Sequence, residues 1–188
     1  MQTTLATVIV LAAGRSARFR AASGGQDKLH AILGSRSVRE HTLAAVEASG
    51  LLWHVVEPAH TAHMDQPGMG DSIATGVRAC AHAAGWLILP ADLPLIQPAS
   101  LRAVAQALAS HVVVQPFYQG QRGHPVGFAA TCGPALMALS GDHGARAVLQ
   151  TYAPYALPLD DAGCVHDVDT PEALEAARRL LAQRAFSV

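Results

Sequence analysis

The sequence has almost no excess of charge of either sign. Its 13 Lys and Arg residues and 14 Asp and Glu residues give a formal net charge of −1 with His neutral. Partners such as nucleic acid or a membrane surface usually require a strongly basic face, so we expect neither. The first apolar run, residues 5–11, has no basic segment before it and is too short for a membrane span or a signal-peptide core.

Cysteine is also scarce, and two common catalytic signatures are missing. Cys80, Cys132 and Cys164 are odd in number and far apart, which gives neither a disulfide framework nor a metal-ligand spacing. We therefore expect a reducing, cytoplasmic location. The sequence has no G-x-x-x-x-G-K-[ST] phosphate loop and no G-x-S-x-G nucleophile elbow, which argues against P-loop NTPases and α/β-hydrolases.

Charged residues make up only 14% of the chain and aromatic residues 5%, while 51% of residues are apolar. A chain of 188 residues with this composition can bury a sizeable core in one domain of ordinary size. No internal repeat, charge run or low-complexity linker divides it. We expect a single domain over residues 1–188.

The first predicted strand and the turn after it carry the first functional signal. Residues 5–11 are apolar and β-branched at their centre, as in a strand covered on both faces. The small residues 12–14 follow, and then Arg15, Ser16 and Arg18. Exposed N–H groups and guanidinium groups at the end of a buried strand predict an anion site. A tight turn with a solvated Arg pair is the alternative.

Residues 11–19 read LAAGRSARF, which resembles the L-A-A-G-x-S-x-R-[MF] signature of the MobA-like nucleotidyltransferases. In that family the loop wraps the base and phosphates of a nucleoside triphosphate. The resemblance implies a catalytic role for Arg18 and for Lys28, the family's lysine. It also implies nucleotide binding by Leu11, Ala12, Ala13, Gly14, Arg15 and Ser16.

Two departures from the family pattern occur beside this loop. Arg20 stands where the family usually has Gly, and the spacer before Lys28 is longer than usual. We expect residues 21–26, which are small and polar, to be mobile until a ligand binds. Ser37 with Glu40 three residues later predicts a capping box at the start of a helix over residues 38–49.

The next motif is Gly68-Met-Gly-Asp-Ser72, similar to the family's G-M-G-x-S segment, which packs against the base. This similarity implies nucleotide binding by Gly70 and Ser72. Asp71 or Ser72 is expected to cap a helix that runs to Ala84. A dinucleotide fingerprint is the alternative, but its third Gly is missing and no strand ends immediately before.

About twenty residues of the family pattern are absent after residue 57, which should trim the sheet on one side.

Asp92 follows an apolar strand and lies between Pro90 and Pro94. The prolines fix φ and hold the carboxylate with little freedom, and strand carboxyl ends are where open α/β sheets bind ligands. The match to the family's P-A-D-x-P implies that Asp92 is catalytic, binds Mg²⁺ and contacts the nucleotide. A turn or capping Asp is the alternative.

Two further motifs resemble segments of the family. Residues 123–128, GHPVGF, imply that Gly123 and His124 contact substrate; a structural His in a turn is the alternative. Residues 141–146, GDHGAR, imply that Arg146 faces an acidic substrate. Asp142 is expected to cap the helix that begins there, and an exposed charge pair at a helix start is the alternative.

The last motif, DVDTPEAL at residues 167–174, resembles the family segment that completes the metal site. We favour Asp169 as the second Mg²⁺ ligand, and Asp167, two positions earlier, is the alternative ligand. A capping Asp at a helix start is the alternative to a metal role. Thr170 as N-cap and Pro171 as first residue predict a helix over 171–183.

These ordered motifs span nearly the whole chain. They imply an α/β fold of three layers, α/β/α, with a mostly parallel sheet like that of nucleotide-diphospho-sugar transferases, and alternating strand and helix patterns independently support it. Within the family, L-A-A-G and P-A-D are typical of molybdenum-cofactor cytidylyltransferases, whereas the guanylyltransferase branch shows L-A-G-G and P-C-D. The resemblance thus implies CTP and molybdenum cofactor as substrates, and a molybdoenzyme or its chaperone as receiver of the product.

Three alternatives remain open from the sequence. The first is a nucleotidyltransferase of the same fold that uses GTP or another acceptor. The second is a non-catalytic protein that still holds nucleotide or cofactor, which Arg20 and the apparent deletion would suit. The third is an oxidoreductase, since some MobA-like proteins are associated with redox conversion of aromatic heterocycles, although no dinucleotide fingerprint supports it.

Overall fold

The computed structural model describes residues 6–14 and 16–185. Their strands are β1 (Thr7–Leu11), β2 (Ile32–Leu33), β3 (Arg36–Ser37), β4 (Trp53–Val56), β5 (Gly85–Pro90), β6 (Val113–Tyr118), β7 (Gln121–Arg122), β8 (Val126–Ala129) and β9 (Tyr155–Pro158). Their helices are α1 (Ala17–Ala22), α2 (Val38–Ser49), α3 (Pro58–Thr61), α4 (Met69–Ala79), α5 (Pro98–Ala107), α6 (Gly133–Met137), α7 (Arg146–Thr151) and α8 (Pro171–Ala185). Within this part of the chain, no helix is long and apolar enough to cross a membrane.

The main sheet has seven strands among the described residues, in the order β4-β1-β5-β8-β6-β7, with β9 paired to the other side of β6. Strand β1 is parallel to β4 and β5, β8 is antiparallel to β5 and β6, and β9 is parallel to β6. Five strands therefore run in one direction, while β7 and β8 are reversed. The expected mostly parallel sheet is confirmed.

The alternation of side chains along β1 divides the core into two layers. Val8 and Val10 pack on one face with residues of α2, α5 and α8. Ile9 packs on the other face with residues of α4, α6 and α7. Helices cover both faces of the sheet, so the predicted three-layer α/β/α architecture is confirmed.

The register of the central strands determines where a ligand can enter. Leu11, the last residue of β1, pairs with Val56 at the end of β4 and with Pro90 at the end of β5. The loops after these parallel strands therefore emerge at the same edge. Residues 12–14, which belong to the first predicted binding segment, and the predicted ligand Asp92 follow these strand ends.

Several predicted boundaries differ from the structure. Helix α4 ends at Ala79 rather than Ala84, because Cys80 leaves helical geometry. Residues 21 and 22 belong to α1 rather than to a mobile loop. Strands β8 and β9 were not predicted; both are only four residues long and are defined by their partners in the sheet.

Other local predictions are confirmed. The Ser37 hydroxyl and the Glu40 carboxylate form the capping box of α2. The helix ends at Ser49, and Gly50 follows with φ of 71°, the left-handed conformation that glycine accepts readily. At the start of α8 the Thr170 hydroxyl accepts from the Ala173 N–H at 3.2 Å.

Candidate active site

A cleft of about 410 Å³ opens at the carboxyl edge of β1 and β5. It runs from the turn after β1, past the end of β5, to the loop that precedes α4. Nine predicted site residues line it: Leu11, Ala13, Gly14, Ser16, Arg18, Lys28, Ser72, Asp92 and Asp169. The structure thus brings together residues that lie up to 158 positions apart in the sequence (11 to 169).

The turn after β1 forms one wall of this cleft. Ala13 and Gly14 add almost no side chain, so a ligand can approach their backbone closely. Ser16 adopts a left-handed conformation with φ of 52°, and its hydroxyl donates to Asp27 at 3.1 Å. Ala12 is buried and its N–H donates to Val56, so it continues the sheet rather than lining the cleft. Arg15 lies outside the described residues, and its role stays a prediction.

Lys28 bridges two carboxylates at the centre of the cleft. Its Nζ lies 2.5 Å from Asp92 Oδ2 and 2.5 Å from Asp169 Oδ1, so those two oxygens are no further apart than twice that distance. Burial tends to lower the pKa of the Lys28 ammonium, but the charges and hydrogen bonds of the two carboxylates outweigh it and raise the pKa above its ordinary value. Lys28 is therefore a cation at neutral pH.

Arg18 approaches the same pair from the solvent side. Its guanidinium forms a salt bridge of 2.6 Å with Asp169 Oδ2, and its side chain is 80% exposed. Burial raises the pKa of Asp169, but Lys28 and Arg18 outweigh this effect and lower it. An exposed arginine is free to turn towards an incoming phosphate, for which guanidinium groups are well suited.

The two carboxylates are held together by backbone as well as by charge. The Val168 N–H donates to the Asp92 carbonyl at 2.9 Å, which fixes the segment before α8 against the end of β5. Asp167 lies in that segment outside the cleft lining. Burial and the negative charges of Asp169 and Asp92 raise the pKa of the Asp167 carboxyl. The preference for Asp169 over Asp167 as metal ligand stays a prediction.

Asp92 has the features of a cation ligand. Its Oδ1 is buried and lacks a hydrogen-bond partner among the described residues, and an unsatisfied buried carboxylate oxygen is costly unless a cation or donor completes it. The described residues contain no group of three or more His, Cys, Asp or Glu arranged to hold a metal. Two carboxylates nevertheless suit Mg²⁺, which keeps waters or phosphate oxygens in its other positions.

The opposite end of the cleft is formed by the start of α4. Gly68, Met69 and Ser72 line it, and Ser72 donates its hydroxyl to the Gly68 carbonyl at 3.2 Å. Gly70 does not line the cavity; its N–H donates to Gly141 at 2.7 Å. The N-cap of α4 is Gly68. Asp71 caps the helix, as expected for one of the two candidates, because it accepts from the Gly68 N–H at 2.9 Å; Ser72 donates to a carbonyl and does not cap it.

The predicted substrate-binding residues Gly123, His124 and Arg146 do not line the cleft. Gly123 is tightly packed, because a Cβ there would lie 2.7 Å from the Cys164 sulfur. Burial lowers the pKa of the His124 imidazole, while the charges of Asp92 and Asp167 oppose this; its Nδ1 is buried without a partner among residues 6–14 and 16–185. Arg146 is exposed on α7. Substrate roles for these three residues stay predictions.

Two residues contribute in ways that the sequence did not reveal. Asp142 lines the cleft beside Gly68 and does not cap α7, whose N-cap is Ala145. Arg20 forms a 2.7 Å salt bridge with Asp27 and thereby braces the turn that carries Lys28. The GDHGAR motif pointed to the segment of Asp142, but that segment meets the distant start of α4, which a local pattern does not show. Arg20 and Asp27 are seven residues apart, and no helix or strand spacing relates them, because Asp27 lies outside α1.

Small-residue loops and charged side chains at the carboxyl edge of an open α/β sheet define a class of nucleotide-binding proteins. Comparison with known families agrees with that class. Residues 8–156 match the MobA-like NTP transferase domain. The chain belongs to this family of nucleotidyltransferases.

Individual relatives cover nearly the whole chain. It is 32% identical over 202 residues to the purine catabolism protein PucB of Bacillus subtilis (strain 168), a match that covers 92% of this chain and 96% of PucB. The structure resembles Rv0371c from Mycobacterium tuberculosis H37Rv, with a TM-score of 0.76, 22% identity, and coverage of 95% and 100% of the two chains.

Two further structures share the fold. Rv0371c has also been solved in complex with manganese; that structure has a TM-score of 0.70 and 22% identity, covering 94% of this chain and 99% of that one. Mth528, a nucleotidyl transferase from Methanothermobacter, has a TM-score of 0.75 and 21% identity, covering 96% and 99%. The fold expected from the sequence is therefore confirmed.

Proposed function

We propose that this protein transfers CMP from CTP to the terminal phosphate of molybdenum cofactor and releases pyrophosphate. The observation that carries the proposal is the meeting of Lys28, Asp92 and Asp169 in a cleft walled by the turn after β1. A nucleotide could approach the backbone of such a cleft closely where the lining residues are small. The carboxylates could hold a metal ion and the cationic side chains could bind the triphosphate.

The reaction needs little proton chemistry. An ionised phosphate oxygen of the acceptor attacks the α-phosphorus of CTP, a new P–O bond forms, and the bond to the β-phosphate bridging oxygen breaks. Because the acceptor is already ionised, no general base is required. Catalysis then depends on an in-line arrangement of attacking and leaving oxygens and on neutralisation of phosphate charge.

The chain's own residues supply that neutralisation. Arg18 and Lys28 would turn from the carboxylates to the phosphate oxygens and the departing pyrophosphate. Asp92 and Asp169 would hold Mg²⁺, for which the unpartnered Asp92 Oδ1 provides an open ligand position. The bound ion would supply electrostatic stabilisation of charge on the phosphates. Rv0371c, which shares the fold, has been solved in complex with manganese, and this supports the use of a divalent ion.

The choice of CTP rests on two alanines of the cleft. Ala13 and Ala91 line it, at the positions where the cytidylyltransferase pattern has L-A-A-G and P-A-D. Larger or different residues there would change the wall that a base and its phosphates contact. The proposed acceptor follows from the same resemblance, and the product would pass to a molybdoenzyme or its chaperone.

GTP is the second candidate, and Asp142 is the observation that favours it. A carboxylate at the Gly68 end of the cleft accepts hydrogen bonds only. Guanine presents two adjacent donors on its Watson–Crick edge, whereas cytosine presents one amino group. The first candidate therefore predicts that the cleft prefers CTP, and the second predicts that it prefers GTP.

A nucleotide panel separates these candidates. Pyrophosphate release is measured with CTP, GTP, UTP and ATP, with Mg²⁺, in the presence and absence of molybdenum cofactor, and Asp92→Asn serves as the matched control. We expect release from CTP only, and only with the cofactor. Release from GTP alone would favour the second candidate, and nucleotide binding without any release would favour a non-catalytic binding protein.

A further inference from the structure

Two loops from distant parts of the chain meet at the Gly68 end of the cleft. The first is the start of α4, residues 68–72, and the second is the segment of residues 140–142. The Gly70 N–H donates to the Gly141 carbonyl at 2.7 Å. Both loops contribute to the cleft lining, the first through Met69 and Ser72 and the second through Asp142.

One carboxylate oxygen ties these loops together. Asp71 Oδ2 accepts from the Gly68 N–H at 2.9 Å and from the Gly141 N–H at 2.9 Å. These two bonds lower the pKa of the Asp71 carboxyl. Both donors bind the same oxygen, so the two backbone segments are held at a fixed distance from each other.

The two glycines of the first loop pack directly against the backbone of the second loop. A Cβ on Gly68 would lie 2.3 Å from the Gly141 carbonyl carbon, and one on Gly70 would lie 2.7 Å from the Ser140 oxygen. The backbones therefore touch directly. The position of the Asp142 carboxylate in the cleft depends on a contact that Asp71 completes.

We propose that Asp71 is a positioning residue for nucleotide binding: its carboxylate joins the two loops that form the base-side end of the cleft. This inference rests on the proposed use of the cleft for a nucleoside triphosphate. Asp71 does not itself line the cleft, and it acts through the backbone of residues 68–70 and 140–142. The phosphate end, with Arg18 and Lys28, does not depend on it.

The chain offers a matched control for the helix-capping part of this role. Glu40 is the third residue of α2, as Asp71 is of α4, and its carboxylate accepts from the Ser37 N–H at 2.6 Å. Both acids satisfy the backbone of a helix N-terminus. Among residues 6–14 and 16–185, Glu40 bonds only within the capping box of α2, so Glu40→Ala removes a cap without removing a contact between the cleft loops.

Asp71→Ala should raise the KM for CTP roughly ten- to a hundredfold, with a smaller change in kcat. The reason is that the Gly68 and Gly141 N–H groups lose their shared acceptor, so the two loops at the base-side end of the cleft are no longer held together. Asp71→Asn should restore the KM to within about threefold of wild type, since an amide oxygen can accept both bonds. Inorganic tripolyphosphate, which reaches only the phosphate end, should bind wild type and Asp71→Ala equally within about twofold. Glu40→Ala should leave the KM unchanged.

Asp71→Glu is the second variant, and it keeps the protein measurable if the alanine variant does not fold. A glutamate at this helix position can still cap Gly68, as Glu40 caps Ser37, while its extra methylene displaces the oxygen from Gly141. Its KM for CTP should also rise.

An unchanged KM in both Asp71→Ala and Asp71→Glu, or equal losses of CTP and tripolyphosphate binding, would overturn the inference. If wild type binds tripolyphosphate but no nucleoside triphosphate at all, the proposed function fails and the inference fails with it.

Discussion

Lys28 occupies the point in the cleft where two carboxylates stabilise a cation at once. Its ammonium lies 2.5 Å from an oxygen of each of two carboxylates, and its side chain is 13% exposed. Two like charges cannot share that position without a large Coulomb cost. On the proposed function, Lys28 and a divalent ion would therefore compete for Asp92 and Asp169 until a triphosphate gives Lys28 another partner.

Lys28→Met should bind Mn²⁺ more tightly than wild type when no nucleotide is present, by roughly tenfold or more, because the competing ammonium is gone. The same variant should lose turnover, since the phosphates lose their lysine. Isothermal titration calorimetry with Mn²⁺ measures the first effect. Arg18→Met, which removes an exposed charge from Asp169 alone, is the control and should change the affinity less. Equal or weaker Mn²⁺ binding by Lys28→Met would contradict this competition.

Asp92→Asn should reduce turnover by roughly 10²–10³-fold or more, because it removes charge at the proposed metal ligand while keeping the side chain's size. Asp169→Asn should weaken turnover similarly, and Asp167→Asn less. Pyrophosphate release measures the activity, and thermal unfolding checks that each variant is folded. Full Mg²⁺-dependent activity in Asp92→Asn would show that another group binds the metal.

Single residues differ in how well the sequence predicted them. Arg18, Lys28, Asp92 and Asp169 could be placed in one site because each stands in a recognisable motif at a strand end or helix start. Asp142 was predicted to cap a helix, and the Arg20–Asp27 pair was not predicted. The position of Asp142 depends on the packing of its segment against the distant start of α4. The Arg20–Asp27 pair depends on how the chain folds back between α1 and Lys28. A local pattern carries neither piece of information.

At the scale of elements, the Asp27 carboxylate connects α1 to the turn that carries Lys28. It accepts from the Leu29 N–H at 2.9 Å, from Ser16 at 3.1 Å and from Arg20 at 2.7 Å. Burial raises the pKa of Asp27, but these bonds outweigh that effect and lower it below its usual value of 3.8. The carboxylate thus stabilises the fold in its ionised form.

Asp27→Ala should cost about 1 kcal/mol of unfolding free energy at neutral pH, the usual value of a capping side chain. A folded-state pKa below the unfolded value means that this stabilisation is present above the unfolded pKa and is lost as pH falls through the folded pKa. Urea unfolding of both proteins from about pH 7 down to about pH 3 should show the difference shrinking. A constant difference across that range would contradict the assignment to the ionised carboxylate.

Helix α4 packs on the sheet through Gly76. A Cβ there would lie 2.3 Å from Ile9 Cγ2 and 2.9 Å from Val56 Cγ2. Alanine in a helix interior normally gains about 1 kcal/mol over glycine, whereas overpacking a core costs about 1–3 kcal/mol. At 2.3 Å the steric cost should exceed the gain.

Gly76→Ala should therefore lower the free energy of unfolding by about 1–2 kcal/mol, measured by urea denaturation. The control is the same substitution in an Ile9→Ala background, where the obstructing methyl group is absent. There the added cost should be smaller than in wild type. Stabilisation by Gly76→Ala in the wild-type background would show that α4 moves away from β1 freely.

The bounds of helices and strands were predicted best where capping residues mark both ends. The Ser37–Glu40 capping box and Gly50 set both ends of α2, and the structure has the helix at those bounds. The end of α4 and the strands β8 and β9 were misplaced or missed. Short strands form because a partner strand is in place, and that partner is not visible in a window of four residues.

At the scale of the whole molecule, the direction of the strands explains why most of the predicted site residues lie in one cleft. Strands β1, β4 and β5 are parallel, so their carboxyl ends share an edge, as in other open α/β sheets that bind ligands there. The segment before α8 returns to the same edge through the bond from Val168 to Asp92. The fold class followed from alternating elements, but the meeting of residues 68–71 with 140–142 required the tertiary structure.

The central claim is that Asp92 and Asp169 hold one divalent ion on the phosphates of a bound nucleotide. A crystal structure with Mn²⁺ and a non-hydrolysable CTP analogue, in which anomalous scattering locates the ion, tests it directly. We predict one ion about 2.1 Å from an oxygen of each carboxylate, with Lys28 moved onto a phosphate. An ion bound elsewhere, or carboxylates more than about 10 Å apart, too far for one ion with bonds of this length, would contradict the account.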